Sequence, residues 1–236
     1  MIRALILCAA MMATTPAQAA CRLALALGLD VSGSVDPREY RLQLDGVAAA
    51  LEDAEIQAAL MALPDAHVAL AVYQWGAPNQ QHLLLDWTPL ITPQAAIDVA
   101  ARLRGTSFAF RDPSTAIGAA MSFGNALLRE RDDCWRHTLD ISGDGPSNAG
   151  FHPGSFPRDG WITINGLVVN PYGRANTDKD LSRVQTLERH YRDHVIRGPG
   201  SFIETASNFN DFADAMARKL LREVQVIAVS DAFSHQ

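Results

Sequence analysis

Lysine, cysteine and long apolar runs are all scarce in this chain of 236 residues. Lys179 and Lys219 are its only lysines, and 20 basic residues stand against 26 acidic ones. A net charge of −6 leaves no basic excess to meet a nucleic-acid backbone, so nucleic acid is not an expected partner. No apolar run reaches the ~20 residues that span a bilayer, so no membrane span is expected. Catalytic signatures are missing too. There is no Gly-x-Ser-x-Gly nucleophile elbow. The Asp-x-Asp of phosphate-transferring α/β enzymes is absent, because Ser32 holds its second position. Seven histidines offer one pair at helical spacing, His190 and His194. Arg189, Arg192 and Arg197 surround that pair, and their charge opposes a cation, so zinc is not expected there. What the chain does have is an ordinary globular balance, 48% hydrophobic and 19% charged, which excludes wholesale disorder.

Residues 1–19 read as a secretory signal. Arg3 supplies the positive start, residues 4–13 the apolar stretch, and Ala17-Gln18-Ala19 a small-x-small cleavage site. The expected mature chain is one exported domain, residues 20–236, periplasmic or secreted. Losing Arg3 with the signal takes the charge to −7. Lipoprotein anchoring at Cys21 is the weaker alternative, since Gln18 stands where an apolar residue would be needed. Cys8 leaves with the signal. The remaining pair, Cys21 and Cys134, suggests a disulfide in an exported chain, with two buried thiols as the alternative.

Strand and helix signals alternate along the rest. Strands are expected at 22–29, 67–75, 81–87, 135–141, 161–169 and 201–205, the third returning antiparallel after the turn at 76–79. Helices are expected at 37–51, 93–103, 114–129, 180–194 and 209–224. Asp36 caps the first and Thr92 the second, each followed by proline at the first helical position. This order means an α/β domain on a mostly parallel sheet. The four tryptophans lie in or beside strands and read as core or strand-edge packing. The basic tract 183–197 reads as a solvated helix face.

Chemistry gathers at strand ends, where open α/β sheets bind ligands. The first strand ends in Asp30-Val31-Ser32-Gly33-Ser34, one carboxylate and two hydroxyls on a short loop. Asp144 ends another strand, and Thr115 stands at the start of a helix. Oxygen donors of this kind suit a hard cation such as Mg²⁺. Singly, each residue is equally at home as a cap or turn residue.

Together, Asp30-Val31-Ser32-Gly33-Ser34, Ser114-Thr115-Ala116-Ile117-Gly118 and Asp144-Gly145 resemble the three segments of the metal-ion-dependent adhesion site of von Willebrand factor type A domains. The chain also resembles an exported bacterial subgroup of unknown function. It shares with that subgroup Ser142-Gly143-Asp144-Gly145, Ile164-Asn165-Gly166-Leu167 and Lys219-Leu220-Leu221-Arg222-Glu223. One departure is Gly143, where such domains usually carry Thr or Ser. The resemblance implies a three-layer, doubly wound, Rossmann-type sheet with one antiparallel edge strand. It implies that Ser32, Ser34 and Thr115 bind Mg²⁺ through hydroxyls, with Mn²⁺ or Ca²⁺ as alternatives. Asp30 and Asp144 would act through bound water. A protein partner presenting Asp or Glu would complete the metal shell, with no catalysis. The same fold makes the strands ending in Asp30 and Asp144 parallel neighbours, which brings Cys21 and Cys134 together at the opposite end. Phe108, Phe110, Arg111, Asn148, Phe151 and His152 would form the partner-binding rim, with the alternative that the aromatics fold back to pack their own loops. The competing readings are a hydrolase, metal-dependent through the same carboxylates or serine-based, and a structural domain with a vestigial site.

Overall fold

The first strand sorts its side chains by size. In β1 (Ala20–Asp30), Leu23, Leu25, Leu27 and Leu29 point to one face, while Ala24, Ala26 and Gly28 point to the other. The leucine face carries α1 (Pro37–Glu52), α2 (Ala54–Leu60), α3 (Pro93–Arg104) and α6 (Phe212–Ser234). The alanine face takes α4 (Ile117–Arg129), α5 (Asp178–His190) and the bulkier Tyr73 and Tyr191. The computed structural model describes residues 19–107, 112–158, 160–171 and 178–234, with backbone only for 178–179 and 226–234. Residues 1–18 of the signal segment and the rim residues Phe108, Phe110 and Arg111 lie outside the described residues.

The other strands are β2 (Ala66–Trp75), β3 (Gln81–Leu90), β4 (His137–Gly143), β5 (Thr163–Val169) and β6 (Ile203–Ala206). They form one sheet in the order β3-β2-β1-β4-β5-β6, parallel except for the edge strand β3. The chain winds outward from β1 in one direction and then resumes at β4 in the other. The point of reversal therefore lies between β1 and β4, where such sheets open a crevice.

The expected elements are present, with shifts that have local causes. β3 continues through Pro89, which an edge strand tolerates because one side needs no donor. The helix expected from Ser114 starts three residues later, because the Thr115 carbonyl accepts from Asn148 and Ala149 instead. Helix α2 was not anticipated. Its signal is Asp53, whose carboxylate accepts from the Glu55 and Ile56 amides. The helix expected to run to His194 loosens after His190 into a π-helical turn, Tyr191–Val195. The last helix is preceded by a 3₁₀ turn, Phe209–Asp211, and extends to Ser234. Trp75 is fully buried, but Trp135 stays 53% exposed, against the packing role expected for it. Arg197 is no solvated residue either. It is buried, with its guanidinium donating to carbonyls of Pro153, Phe156 and Val195, and burial lowers its pKa to about 10.

A charged group also lies inside. The buried Lys219 ammonium sits 2.8 Å from Asp140 and 2.7 Å from Glu223, and Asn165 donates to Glu223 at 2.6 Å. Together these four residues pin α6 to β4 and β5.

Cys21 and Cys134 are bonded, with Cα atoms 4.4 Å apart, at the end of the β1–β4 ladder opposite Asp30. The closed loop spans 113 positions. For a loop of that size the chain-entropy model gives on the order of 4–5 kcal/mol. Intact-mass measurement of the mature protein should find no free thiol, and the Cys21→Ser/Cys134→Ser pair should lower stability by about that amount. Two alkylatable thiols in the native protein would refute the bond.

Candidate metal centre

Three segments meet at the reversal point, and each is tied to another. Asp30 ends β1 with its carboxylate turned back onto its own loop, where Oδ1 accepts from the Ser32 amide at 2.7 Å. Gln43 of α1 donates to the Asp30 carbonyl at 2.8 Å and holds the strand end in place. The Ser32 and Ser34 hydroxyls are 3.3 Å apart, and Ser34 donates to Asp144 Oδ1 at 2.6 Å. Gly33 lies so close to Pro113 that a Cβ there would overlap it, which seats the Thr115 segment against the first loop. Asn148 closes the ring by accepting from the Thr115 amide at 2.8 Å and donating its own amide to the Thr115 carbonyl. Asp30, Ser32, Ser34 and Asp144 thus form one hydrogen-bonded chain, and the Thr115 segment packs against it through Pro113. Asp30, Ser32, Thr115 and Asp144 are buried, and Ser34 is exposed.

The electrostatics of this cluster are unresolved by the protein itself. Asp30 Oδ2 and Asp144 Oδ2 are both buried without a hydrogen-bond partner. Burial, then the charge of Asp144, pushes the Asp30 pKa up to about 7. Burial likewise raises Asp144, with the Ser34 hydrogen bond opposing it. Among the described residues no basic side chain pairs with either carboxylate. Two buried carboxylates with orphaned oxygens need a proton or a cation. With the neutral Ser32 and Ser34 hydroxyls beside them, the donor set is all oxygen and fits a hard divalent ion.

Residues 20–228 match the family described as "Protein of unknown function (DUF1194)". The chain belongs to the DUF1194 family. No curated protein matches it by sequence. By structure it is similar to proximal thread matrix protein 1 from the mussel byssus "with zinc occupied MIDAS motif". The TM-score is 0.56 at 16% identity, over 88% of this chain and 47% of that one. It is similar to a von Willebrand factor type A protein from Catenulispora acidiphila, with TM-score 0.52 and 12% identity, over 89% and 43% of the two chains. It is also similar to the pilus adhesin SpaC from Lactobacillus rhamnosus GG, with TM-score 0.59 and 12% identity, over 88% and 31%. The chain spans less than half of each of these structures. The likeness shows the fold: this DUF1194 protein has a von Willebrand factor A-like architecture.

Around the cluster, the rim residues divide by role. Phe151 and His152 are exposed, whereas Asn148 is spent on tying two loops together. His152, His190 and His194 pack edge to face, with ring centres 4.6–6.1 Å apart. His152 accepts from the Gly154 amide and His190 from the Ser147 amide, so their lone pairs serve the loops. A cavity of about 340 Å³ opens beside Asp144, bordered by Pro146, Arg183, Val184, Leu187 and His190. Two residues near the cluster escaped the sequence reading, Gln43 and Tyr191. The signal for Gln43 was available, since it interrupts the buried face of α1 formed by Tyr40, Leu44 and Val47.

Because Asp30 is raised, its contribution to stability in metal-free protein is complete below about 3.8 and is lost as pH rises through about 7. Metal-free wild type should therefore melt several degrees higher near pH 5 than near pH 7.5, and Asp30→Asn should flatten that difference. Asp140, which burial pushes up to about 7 despite Lys219, titrates in both proteins and cancels in the comparison. Equal pH slopes in calorimetric melting of the two proteins would contradict the assignment.

Proposed function

We propose that this DUF1194 protein is an exported, non-enzymatic binding module. Its Asp30, Ser32, Ser34, Thr115 and Asp144 hold a Mg²⁺-type cation that engages a carboxylate of a protein partner. The observation that carries this reading is the pair of buried carboxylates, each with an orphaned oxygen, beside the Ser32 and Ser34 hydroxyls at the sheet's reversal point. The module is residues 20–236 after removal of residues 1–19. The Cys21–Cys134 bond supports export, because disulfides persist in oxidising compartments. Among the described residues no helix is long and apolar enough to cross a membrane.

The residues divide the work by charge. Ser32, Ser34 and Thr115 offer neutral oxygens, and Asp30 and Asp144 supply the negative field from behind, through water. When bound, the cation offers a coordination position whose charge the hydroxyls leave under-neutralised, and this favours an incoming Asp or Glu. Replacing a hydroxyl by a carboxylate would weaken that attraction. The cavity beside Asp144, with Val184 and Leu187 in its wall, gives the partner's neighbouring side chain a place to pack. The names of the structural neighbours support the reading by analogy, since one is an adhesin and another carries zinc in such a motif.

The hydrolase reading fits less well. Among the described residues the hydrogen-bond partners of the Ser32 and Ser34 hydroxyls are each other and Asp144, with no histidine base beside them and no third group orienting Asp144 as a base.

Calorimetry with Mg²⁺ and Mn²⁺ should show one bound equivalent on wild type and at least a tenfold loss on Asp30→Ala or Asp144→Ala. Wild type that binds neither ion would remove the mechanism. Capture of an envelope partner should depend on the added metal and be lost on chelation. Hydrolytic turnover abolished by Asp30→Ala would favour the enzyme instead.

A further inference from the structure

Position 143 carries no side chain, and the space such a side chain would take is filled from another element. A Cβ built on Gly143 would lie 2.5 Å from the Tyr191 hydroxyl, 3.0 Å from Asp30 Oδ2 and 3.4 Å from Trp75. The phenolic oxygen and the orphaned Asp30 oxygen therefore border the same small space. A second glycine accommodates the same tyrosine. A Cβ on Gly166, in the neighbouring strand β5, would lie 2.7 Å from Tyr191 Cδ1. Two adjacent strands thus omit a side chain so that one tyrosine can lie across them. These glycines belong to Ser142-Gly143-Asp144-Gly145 and Ile164-Asn165-Gly166-Leu167, and the ligand set alone gives neither of them a role.

Tyr191 reaches this place because it opens the π-helical turn Tyr191–Val195, closed by the Ile196 amide on the Tyr191 carbonyl at 2.9 Å. Such turns recur at functional sites. The side chain is fully buried, and its hydroxyl has no hydrogen-bond partner. A tyrosine phenol carries its proton at neutral pH, so this one is a buried donor without an acceptor. Leaving such a donor buried and unmet is costly. The nearby acceptor that also lacks a partner is Asp30 Oδ2.

We infer that Tyr191 is a positioning residue of the cation site: its hydroxyl takes the place of a side chain at 143 and donates, directly or through one water, to Asp30 Oδ2. Asp30 is then held at both oxygens, Oδ1 by the Ser32 amide and Oδ2 by the phenol. The inference rests on the cation-site reading above. Tyr191 touches neither metal nor partner and acts through the carboxylate alone.

Four proteins test it by calorimetric titration with Mg²⁺: wild type, Tyr191→Phe, Gly143→Ser and the double variant. Each is also melted without metal to compare folding. Tyr191→Phe keeps the ring and should fold normally, yet bind Mg²⁺ about 5- to 10-fold more weakly, the effect of one net hydrogen bond. Gly143→Ser alone should be damaged more, because its new side chain meets the phenol. The double variant should bind better than Gly143→Ser and approach wild type, since the serine hydroxyl occupies the space the phenol leaves. A purely packing tyrosine would also relieve the clash in the double variant, but it would leave Mg²⁺ affinity unchanged in Tyr191→Phe, so the deciding readout is weaker binding by Tyr191→Phe at an unchanged melting temperature. Wild-type affinity in Tyr191→Phe, or a double variant no better than Gly143→Ser, would overturn this inference and leave the cation site standing. Wild type that binds neither Mg²⁺ nor Mn²⁺ would overturn both.

Discussion

The parallel pairing of β1 with β4 is the constraint on which the rest depends. Ala24 faces His137 and Gly28 faces Ile141 in one unbroken register. The same offset places Cys21 opposite Cys134 below, where the two are bonded. Above, it sets the end of β1 beside the end of β4, so that Ser34 reaches Asp144 across the gap. A slip of one residue would turn Asp140 and Ser142 to the wrong face and separate the carboxylates from the hydroxyls. A covalent bond at one end of a two-strand ladder guards against that slip at the other. Gln43 adds a tie from the helix side, with its amide on the Asp30 carbonyl.

The molecule handles buried charge in two contrasting ways. Under α6, Asp140 and Glu223 face Lys219, and Asn165 holds Glu223 in place, so the group is closed within the protein. At the reversal point, Asp30 and Asp144 face each other with hydroxyls and no cation among the described side chains. The cost of bringing like charges together in a dry place is left to be offset from outside. One network ties the sheet to its last helix, and the other leaves two buried carboxylates whose charge a proton or a cation would offset. The protein's overall acidity gives no help in attracting a carboxylate partner, so any attraction must be local to that cluster.

Much of this was legible along the chain because its cause is local. Asp36 caps α1 through the Glu39 amide, and Thr92 caps α3 through the Ala95 amide, as their residue types and the following prolines indicated. The apolar run 22–29 was read as a strand, and the structure shows it buried on both faces. The ligand cluster was legible only as three separated segments, and only a resemblance joined them. What stayed hidden had non-local causes. The start of α4 waits on Asn148, more than thirty residues away, which holds the Thr115 backbone out of the helix. Arg197 sits in a basic tract, and nothing nearby reveals that the carbonyls of Pro153 and Phe156 will take its guanidinium.

By itself, then, the sequence determined the kinds of element, their order and the oxygen-rich strand ends, because capping, alternation and helical period act over a few residues. Only the tertiary structure decided what those ends amount to. It set the β1–β4 register that makes Asp30 and Asp144 neighbours, and it buried one oxygen of each without a partner. It also laid Tyr191 across two glycines from distant segments. A glycine in a sequence is an absence, and what fills the space beside it depends on which part of the chain folds back to that place.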